Sequence, residues 1–268
     1  MDAARGFYLA DPNATRYTDN RGIGPCPSIG QDEDTHTAIA AYLRKRFVGG
    51  GVEFTPDHVQ YSPHSIKGAL AEYIPAAFFG DSTTLIFPEP GYGVVRDPVN
   101  NRGCLVRNVP LQFKDGCWDI DYHEASFVGF SGNTALYLNR PHNPTGSGYP
   151  KGGPWEFVLA WAREHNILLI VDEAYIDLCY DPDIVSVLTV PDWEESCIVL
   201  QSVSKGWNAT GLRFGWMVAH PTAIKVLRKV TDVTDSGMFG PSIAAGLYCL
   251  RHPELTEVTR TRYEELHR

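Results

Sequence analysis

The segment CIVLQSVSKGWNATGLRFG, residues 197–215, places one lysine between an apolar run and a turn of small residues. The run 197–200 is typical of a strand buried on both faces of a parallel sheet. Lys205 would then lie near the carboxyl end of that strand, where open α/β sheets bind their ligands. A lysine with an ordinary pKa of about 10.4 becomes a nucleophile only when it is desolvated, lies beside a cation or has a covalent partner. Arg213 is a candidate for that cation or for an anion ligand, although two solvated loop charges explain this stretch equally well.

Short apolar runs alternate with helical patterns on both sides of this segment. The predicted strands are residues 57–62, 83–87, 105–109, 135–138, 167–171, 197–200 and 214–218. The predicted helices are residues 34–47, 65–79, 154–164, 221–230 and 242–250, with Ser65 as a candidate cap of the second. This alternation predicts an α/β fold, a three-layer α/β/α domain with a mainly parallel sheet.

The composition excludes several classes of function. The chain has 268 residues, is 43% hydrophobic and has a net charge of −9, so it can bury a large core and does not resemble a nucleic-acid binder. Neither a run of about 20 apolar residues nor a signal pattern is present, which predicts a cytoplasmic protein without a membrane partner. The six scattered cysteines form no C-x-x-C pair, and we expect reduced core residues and no metal site.

Polar residues follow three of the predicted strands. Asn143 lies in a turn that the prolines at 141 and 144 constrain, and Asp172 comes directly after the run 167–171. Each has an ordinary explanation, because asparagine is common in turns and an aspartate can cap a helix. The order Asn143, Asp172, Tyr175, Ser202 and Lys205 across successive strand ends is far more specific than any one member.

Three motifs together resemble a known family. They are NPTG at 143–146, DEAY at 172–175, and SVSK at 202–205 followed by GLRFG at 211–215. They resemble fold-type I pyridoxal-phosphate enzymes of the class I/II aminotransferase group, and the resemblance runs from about residue 17 to the end of the chain. It implies an aminotransferase that transfers an amino group between an amino acid and a 2-oxo acid.

The resemblance also implies roles for the residues that face the reacting part of the cofactor. Lys205 would hold pyridoxal phosphate as a Schiff base and then move a proton between the substrate and the cofactor. Asp172 would keep the pyridine nitrogen protonated, so that the ring accepts electrons. Asn143 and Tyr175 would hydrogen-bond the phenolate oxygen. The implied catalytic residues are Lys205, Asp172 and Tyr175.

For the phosphate group, the resemblance implies Ser202 and Arg213, together with Ser65 and Ile66 at a helix start. His64 is a departure, because the family usually has glycine there. It can either point into the site or lie on the surface.

Two further tyrosines match the family. Tyr92 corresponds to an aromatic residue that stacks on the cofactor ring, and Tyr17 to a tyrosine that reaches the phosphate of the neighbouring subunit. The resemblance therefore implies a homodimer with shared active sites.

The expected organisation has three parts. Residues 1–32 form an N-terminal arm, residues 33–252 the pyridoxal-phosphate-binding large domain, and residues 253–268 the start of a helix leading to an absent C-terminal small domain. The family's arginine for the substrate carboxylate has no counterpart here, and we expect a fragment of a longer enzyme rather than a shortened homologue.

Two other functions stay open. The same site residues suit a lyase, cyclase or oxidase, and the lead-in at Arg140 and His142 is unusual for the family. A non-catalytic homologue would serve as a binding or dimerisation module.

Overall fold

The computed structural model describes residues 33–122, 133–235 and 237–267, so the predictions for Tyr17 and Cys26 lie outside the described residues. The helices are α1 Glu33–Arg46, α2 Ser65–Gly68, α3 Ile74–Phe78, α4 Arg96–Asn101, α5 Pro154–Glu164, α6 Val203–Gly206, α7 Pro221–Thr234, α8 Gly240–Arg251 and α9 Glu254–His267. The strands are β1 Val59–Pro63, β2 Thr84–Glu89, β3 Leu105–Pro110, β4 Gln112–Lys114, β5 Cys117–Asp119, β6 Thr134–Asn139, β7 Ile167–Asp172, β8 Cys197–Ser202 and β9 Phe214–Val218.

Seven strands form one sheet in the order β1-β9-β8-β7-β6-β2-β3. β9 pairs antiparallel with both of its neighbours, and the other strands all run in one direction. Strands β6 and β8 are buried along their whole length, which explains the continuous apolar runs at 135–138 and 197–200. The predicted α/β fold with a mainly parallel sheet is confirmed.

Helices cover the sheet on both faces. One apolar cluster joins the sheet to α1, α5 and α8 through residues such as Leu43, Trp155 and Ile243. The other cluster joins the opposite face to α3 and α7 through Ile74 and Leu227. These two clusters make the three layers that the sequence predicts.

The helix predicted at 65–79 has an irregular centre. A π-helical turn, Ala69–Tyr73, separates α2 from α3. Pro75 has no amide hydrogen for the carbonyl four residues earlier, and the wider turn lies just before it. The prediction that Ser65 caps this helix is wrong, because no side-chain cap forms and Ser65 has a φ of 63°.

The sequence did not predict the small hairpin of β4 and β5. Its strands have three residues each, and Lys114 pairs with Cys117 across the two-residue turn. Asp115 and Gly116 both have positive φ, 52° and 81°. Asp-Gly is a strong hairpin signal, but the flanking strands are too short to show an alternating pattern.

The five described cysteines are free thiols, and Cys104, Cys197 and Cys249 are buried, in agreement with the prediction for those three. Among the residues that the structure describes, no group of three or more metal-binding side chains occurs. No helix in the same ranges has the length and apolar character needed to cross a membrane.

Candidate active site

The carboxyl ends of β1, β2, β6, β7 and β8 meet at one edge of the sheet. Because β9 is antiparallel to β8, the residues before β9 reach the same edge. This edge encloses a cavity of about 220 Å³. The cavity is lined by all nine described residues that the sequence analysis assigns to the site: Ser65, Ile66, Tyr92, Asn143, Asp172, Tyr175, Ser202, Lys205 and Arg213.

Lys205 lies on the single turn α6, directly after β8. The hydroxyl of Ser202 accepts a hydrogen bond of 3.3 Å from the amide of Ser204 and so holds the start of this turn. The Lys205 Nζ atom lies 5.5 Å from the centre of the Tyr175 ring. The lysine therefore lies between the end of a buried strand and an aromatic face.

Asp172 ends β7 and is 2% exposed. Its Oδ1 atom accepts a hydrogen bond of 3.0 Å from the amide of Ala174, and its Oδ2 atom accepts one of 2.9 Å from the hydroxyl of Tyr137. Burial raises the pKa of the Asp172 carboxyl to about 6, although these bonds and Lys205 act in the opposite direction. The carboxyl therefore makes a local turn bond and lines the cavity, but it does not cap a helix, because the short 3-10 helix Ile176–Leu178 has Tyr175 at its N-cap position and no side-chain cap.

The next residue in the chain, Glu173, points to the other face of the sheet. Its carboxyl accepts hydrogen bonds from the side chains of Ser186 and Gln201 at 2.7 and 2.8 Å and from the amide of Val187 at 2.9 Å. Burial raises the pKa of Glu173 to about 7. The alternation of a strand thus sends two consecutive acids to different environments.

Asn139 fixes the loop that carries Asn143. Its Oδ1 atom accepts a bond of 2.7 Å from the Asn143 amide, and its Nδ2 atom donates to the Asp172 carbonyl at 2.9 Å. The Asn143 side chain in turn donates to the Tyr175 hydroxyl at 3.5 Å. These contacts bring Asn143 and Tyr175 to the same side of the cavity.

Arg213 lines the cavity beside the start of α2, with a φ of 54°. Its guanidinium donates to the carbonyls of Thr210 and His64 at 2.9 and 2.6 Å. The hydroxyls of Ser65 and Ser204 lie 3.1 Å apart on the same side. A cation, two hydroxyls and the backbone of α2 thus converge on a small volume.

His64 contributes its backbone rather than its side chain. Its φ is 65°, a value that favours glycine, and its carbonyl accepts the bond from Arg213. The imidazole is 68% exposed and lies 3.5 Å from the carboxylate of Asp235. Of the two alternatives for this residue, the surface position is the observed one.

The two unusual residues before Asn143, Arg140 and His142, lie in different surroundings. Arg140 is buried, forms a salt bridge with Asp119 and donates to the hydroxyl of Tyr149 at 3.2 Å, away from the cavity. His142 lines a second cavity and lies 2.9 Å from the hydroxyl of Thr145. Burial, and then the charge of Arg140, lower the pKa of His142 to about 4, so its ring is neutral at neutral pH.

The second cavity has a volume of about 580 Å³ and adjoins the first. Asn143, Tyr175 and Lys205 line both cavities. Lys205 therefore borders a small polar cavity on one side and a larger open one on the other.

Several residues around the first cavity were not assigned to the site from sequence. They are Lys67, Asn139, Ala174, Ser204 and Thr210. Ala174 and Ser204 lie inside the motifs quoted above, and their position there is the signal that could have identified them. Tyr137 gives no such signal, because it looks like one more apolar residue of β6.

Comparison with known proteins identifies the family that this arrangement resembles. The sequence matches the model of the family "Aminotransferase class I and II" over residues 12–264.

Two similar curated proteins carry the same name. The chain is 35% identical over 266 residues to LL-diaminopimelate aminotransferase of Methanocaldococcus jannaschii, covering 96% of this chain and 61% of the relative. It is 36% identical over 228 residues to LL-diaminopimelate aminotransferase of Methanococcus maripaludis, covering 84% and 53%. The chain thus spans little more than half of the length of these relatives.

Among solved structures, the substrate-bound BacF structure from Bacillus subtilis superposes with a TM-score of 0.83 at 25% identity. The match covers 98% of this chain and 63% of that one. The likeness extends over nearly the whole chain.

Proposed function

The chain belongs to the class I and II aminotransferase family, and from this membership we propose that it forms the cofactor-binding part of a pyridoxal-phosphate-dependent aminotransferase. The reaction transfers an amino group between an amino acid and a 2-oxo acid. One observation carries the proposal. A lysine, a buried aspartate and an arginine converge on one cavity at the edge of the sheet, with donors between them.

The chemistry of the cavity fits the cofactor. Asp172 is fully buried, and the hydrogen bonds described to its carboxyl come from neutral groups, the Ala174 amide and the Tyr137 hydroxyl. A protonated ring nitrogen would supply a positive partner for this carboxylate. When bound, pyridoxal phosphate supplies an aldehyde that condenses with amines and a ring that accepts electrons from the substrate.

Each residue at the cavity would have its own role. The Lys205 amine would bind the cofactor covalently and, when free, move a proton at the substrate α-carbon. Asp172 would hold the proton of the ring nitrogen, Asn143 and Tyr175 would donate to the ring oxygen, and Tyr92 would pack against the ring.

Beside the start of α2, Arg213 and Ser202 would bind the phosphate together with the Ser65 hydroxyl and the Ile66 amide. The guanidinium is suited to a phosphate because it donates two parallel hydrogen bonds. Its present acceptors are two backbone carbonyls, which orient it.

For the substrate, we propose an amino acid of the diaminopimelate type. The support is the shared name of the two curated relatives, which are 35% and 36% identical to this chain. We also propose a homodimer with shared sites, in which Tyr17 reaches the partner's phosphate group.

A titration with pyridoxal phosphate tests the central proposal. We expect the purified protein to develop a visible absorbance band and, after borohydride reduction, to carry the cofactor on the peptide that contains Lys205. Absence of both would refute the cofactor proposal. With cofactor bound, LL-diaminopimelate and 2-oxoglutarate distinguish the reactions, because a transaminase forms glutamate whereas a lyase releases ammonia and an oxidase peroxide.

Gly215 gives a prediction for the phosphate end. A Cβ atom at this position of β9 would lie 3.0 Å from Ser65 Cα and 3.2 Å from the Ile66 amide nitrogen. Gly215→Val should therefore displace the loop and weaken cofactor affinity about tenfold or more, since overpacking typically destabilises by about 1–3 kcal/mol. Gly80→Val is the matched control, because a Cβ there meets nothing within 4 Å. Equal affinities of the two variants would contradict the prediction.

A further inference from the structure

Tyr137 lies next to the site but outside the cavity lining. In the parallel pair β6–β7, Tyr137 is opposite Ile170, and Asn139 is opposite Asp172. Residues two apart on a strand share a face, so Tyr137 and Asp172 are diagonal neighbours on one face of the sheet. This register brings the Tyr137 hydroxyl to 2.9 Å from Asp172 Oδ2.

The surroundings of Tyr137 hold its ring in place. The side chain is 1% exposed, and its ring is parallel to the ring of Phe87, with an interplanar angle of 3° and 5.9 Å between centres. A buried tyrosine hydroxyl needs a hydrogen-bond partner, and Asp172 provides it. The hydroxyl is therefore a fixed donor.

The groups that act on Asp172 come from three other positions around the cavity. They are Lys205 on α6, Tyr175 after β7 and Tyr92 after β2, and Arg213 lines the same cavity. Both tyrosines are neutral at neutral pH, because burial raises the pKa of each. Burial disfavours the carboxylate, whereas a neutral donor at 2.9 Å favours it.

We propose that Tyr137 is a positioning residue of this site, whose hydroxyl holds the Asp172 carboxylate ionised and oriented for the proton on the cofactor's ring nitrogen. The Ala174 amide fixes the other oxygen, so the two donors together determine the plane of the carboxylate. The inference rests on the proposed function, because Tyr137 acts only through Asp172.

The first test uses protein without cofactor, so that it does not depend on activity. The free energy of unfolding is measured against pH for the wild type, Tyr137→Phe, Asp172→Asn and the double variant. The Asp172-dependent fall in stability should end about one pH unit higher when the Tyr137 hydroxyl is removed, because only the folded-state pKa changes. Tyr61→Phe, at a fully buried tyrosine of β1, is the control and should leave this upper limit unchanged. An unchanged upper limit in Tyr137→Phe overturns the inference.

The second test uses protein loaded with pyridoxal phosphate. Tyr137→Phe should lower kcat about tenfold with KM within about twofold, and should shift the pH dependence of the visible band. An unchanged kcat and an unchanged pH profile overturn the inference while the proposed function stands. A wild-type protein without a band refutes the proposed function and the positioning role with it, whereas the cofactor-free titration still decides whether Tyr137 controls Asp172.

Discussion

Lys205→Ala is expected to abolish the visible band of the cofactor-loaded protein and to lower activity on the order of 10⁴-fold. The reason is that Lys205 has two functions in the proposed reaction, covalent attachment and proton transfer. Alanine provides neither. Because Lys205 lies on a short turn at the cavity wall, the loss of its side chain leaves the sheet intact.

The measurements are absorbance, borohydride labelling and initial rates with the same amino donor. Lys225→Ala, at an exposed lysine of α7, serves as the control and should keep both the band and the rate. If borohydride still fixes the cofactor to the Lys205→Ala protein, the covalent attachment is at another lysine.

Asp172→Asn is expected to lower kcat by about 10²- to 10³-fold, the usual size of one lost preorganised electrostatic contact. Asparagine preserves the shape and both local bonds, since its oxygen can accept from the Ala174 amide and its amide can donate to the Tyr137 hydroxyl. What it lacks is the negative charge. The decrease in kcat therefore measures the contribution of the negative charge and not that of side-chain packing.

The same variant should be more stable than the wild type in the absence of cofactor. The pKa of Asp172 rises from 3.8 to about 6 on folding. Between these values the unfolded chain binds fewer protons, so stability falls as pH rises through this window. Above pH 6 the ionised carboxylate destabilises the fold by about 3 kcal/mol, and Asp172→Asn removes this penalty.

The free energy of unfolding in urea, measured for the wild type and Asp172→Asn at several pH values, tests this difference in stability. The two proteins should be equally stable below about pH 4 and should diverge up to about pH 6. A constant difference across this range would contradict the prediction, because it would show that Asp172 does not titrate there.

The sheet and the main site residues could be predicted for physical reasons. A strand buried on both faces tends to carry a continuous apolar run, and the first four residues of β8, 197–200, show this directly in the sequence. The polar residues at the strand ends interrupt such runs, which is why Asn143, Asp172 and Lys205 stand out.

Other features depend on relations that a sequence does not display. The bond between Tyr137 and Asp172 follows from the register of β6 against β7, and the same tyrosine one position away would face the opposite layer. The direction of Arg140 depends on Asp119, which lies on a hairpin too short to be predicted. Pro75 marks an irregularity in the helix predicted at 65–79, but the sequence does not show that it takes the form of the π-helical turn Ala69–Tyr73.

The antiparallel direction of β9 limits the distance between two residues of the site. Lys205 and Arg213 both line the cavity and belong to one connection between the neighbouring strands β8 and β9. With the proposed roles of Lys205 in covalent attachment and Arg213 in phosphate binding, the distance between these two functions is set by a single short stretch of chain. Such an arrangement selects ligands by their length. A shorter analogue without the phosphate would react with Lys205 but would not reach Arg213.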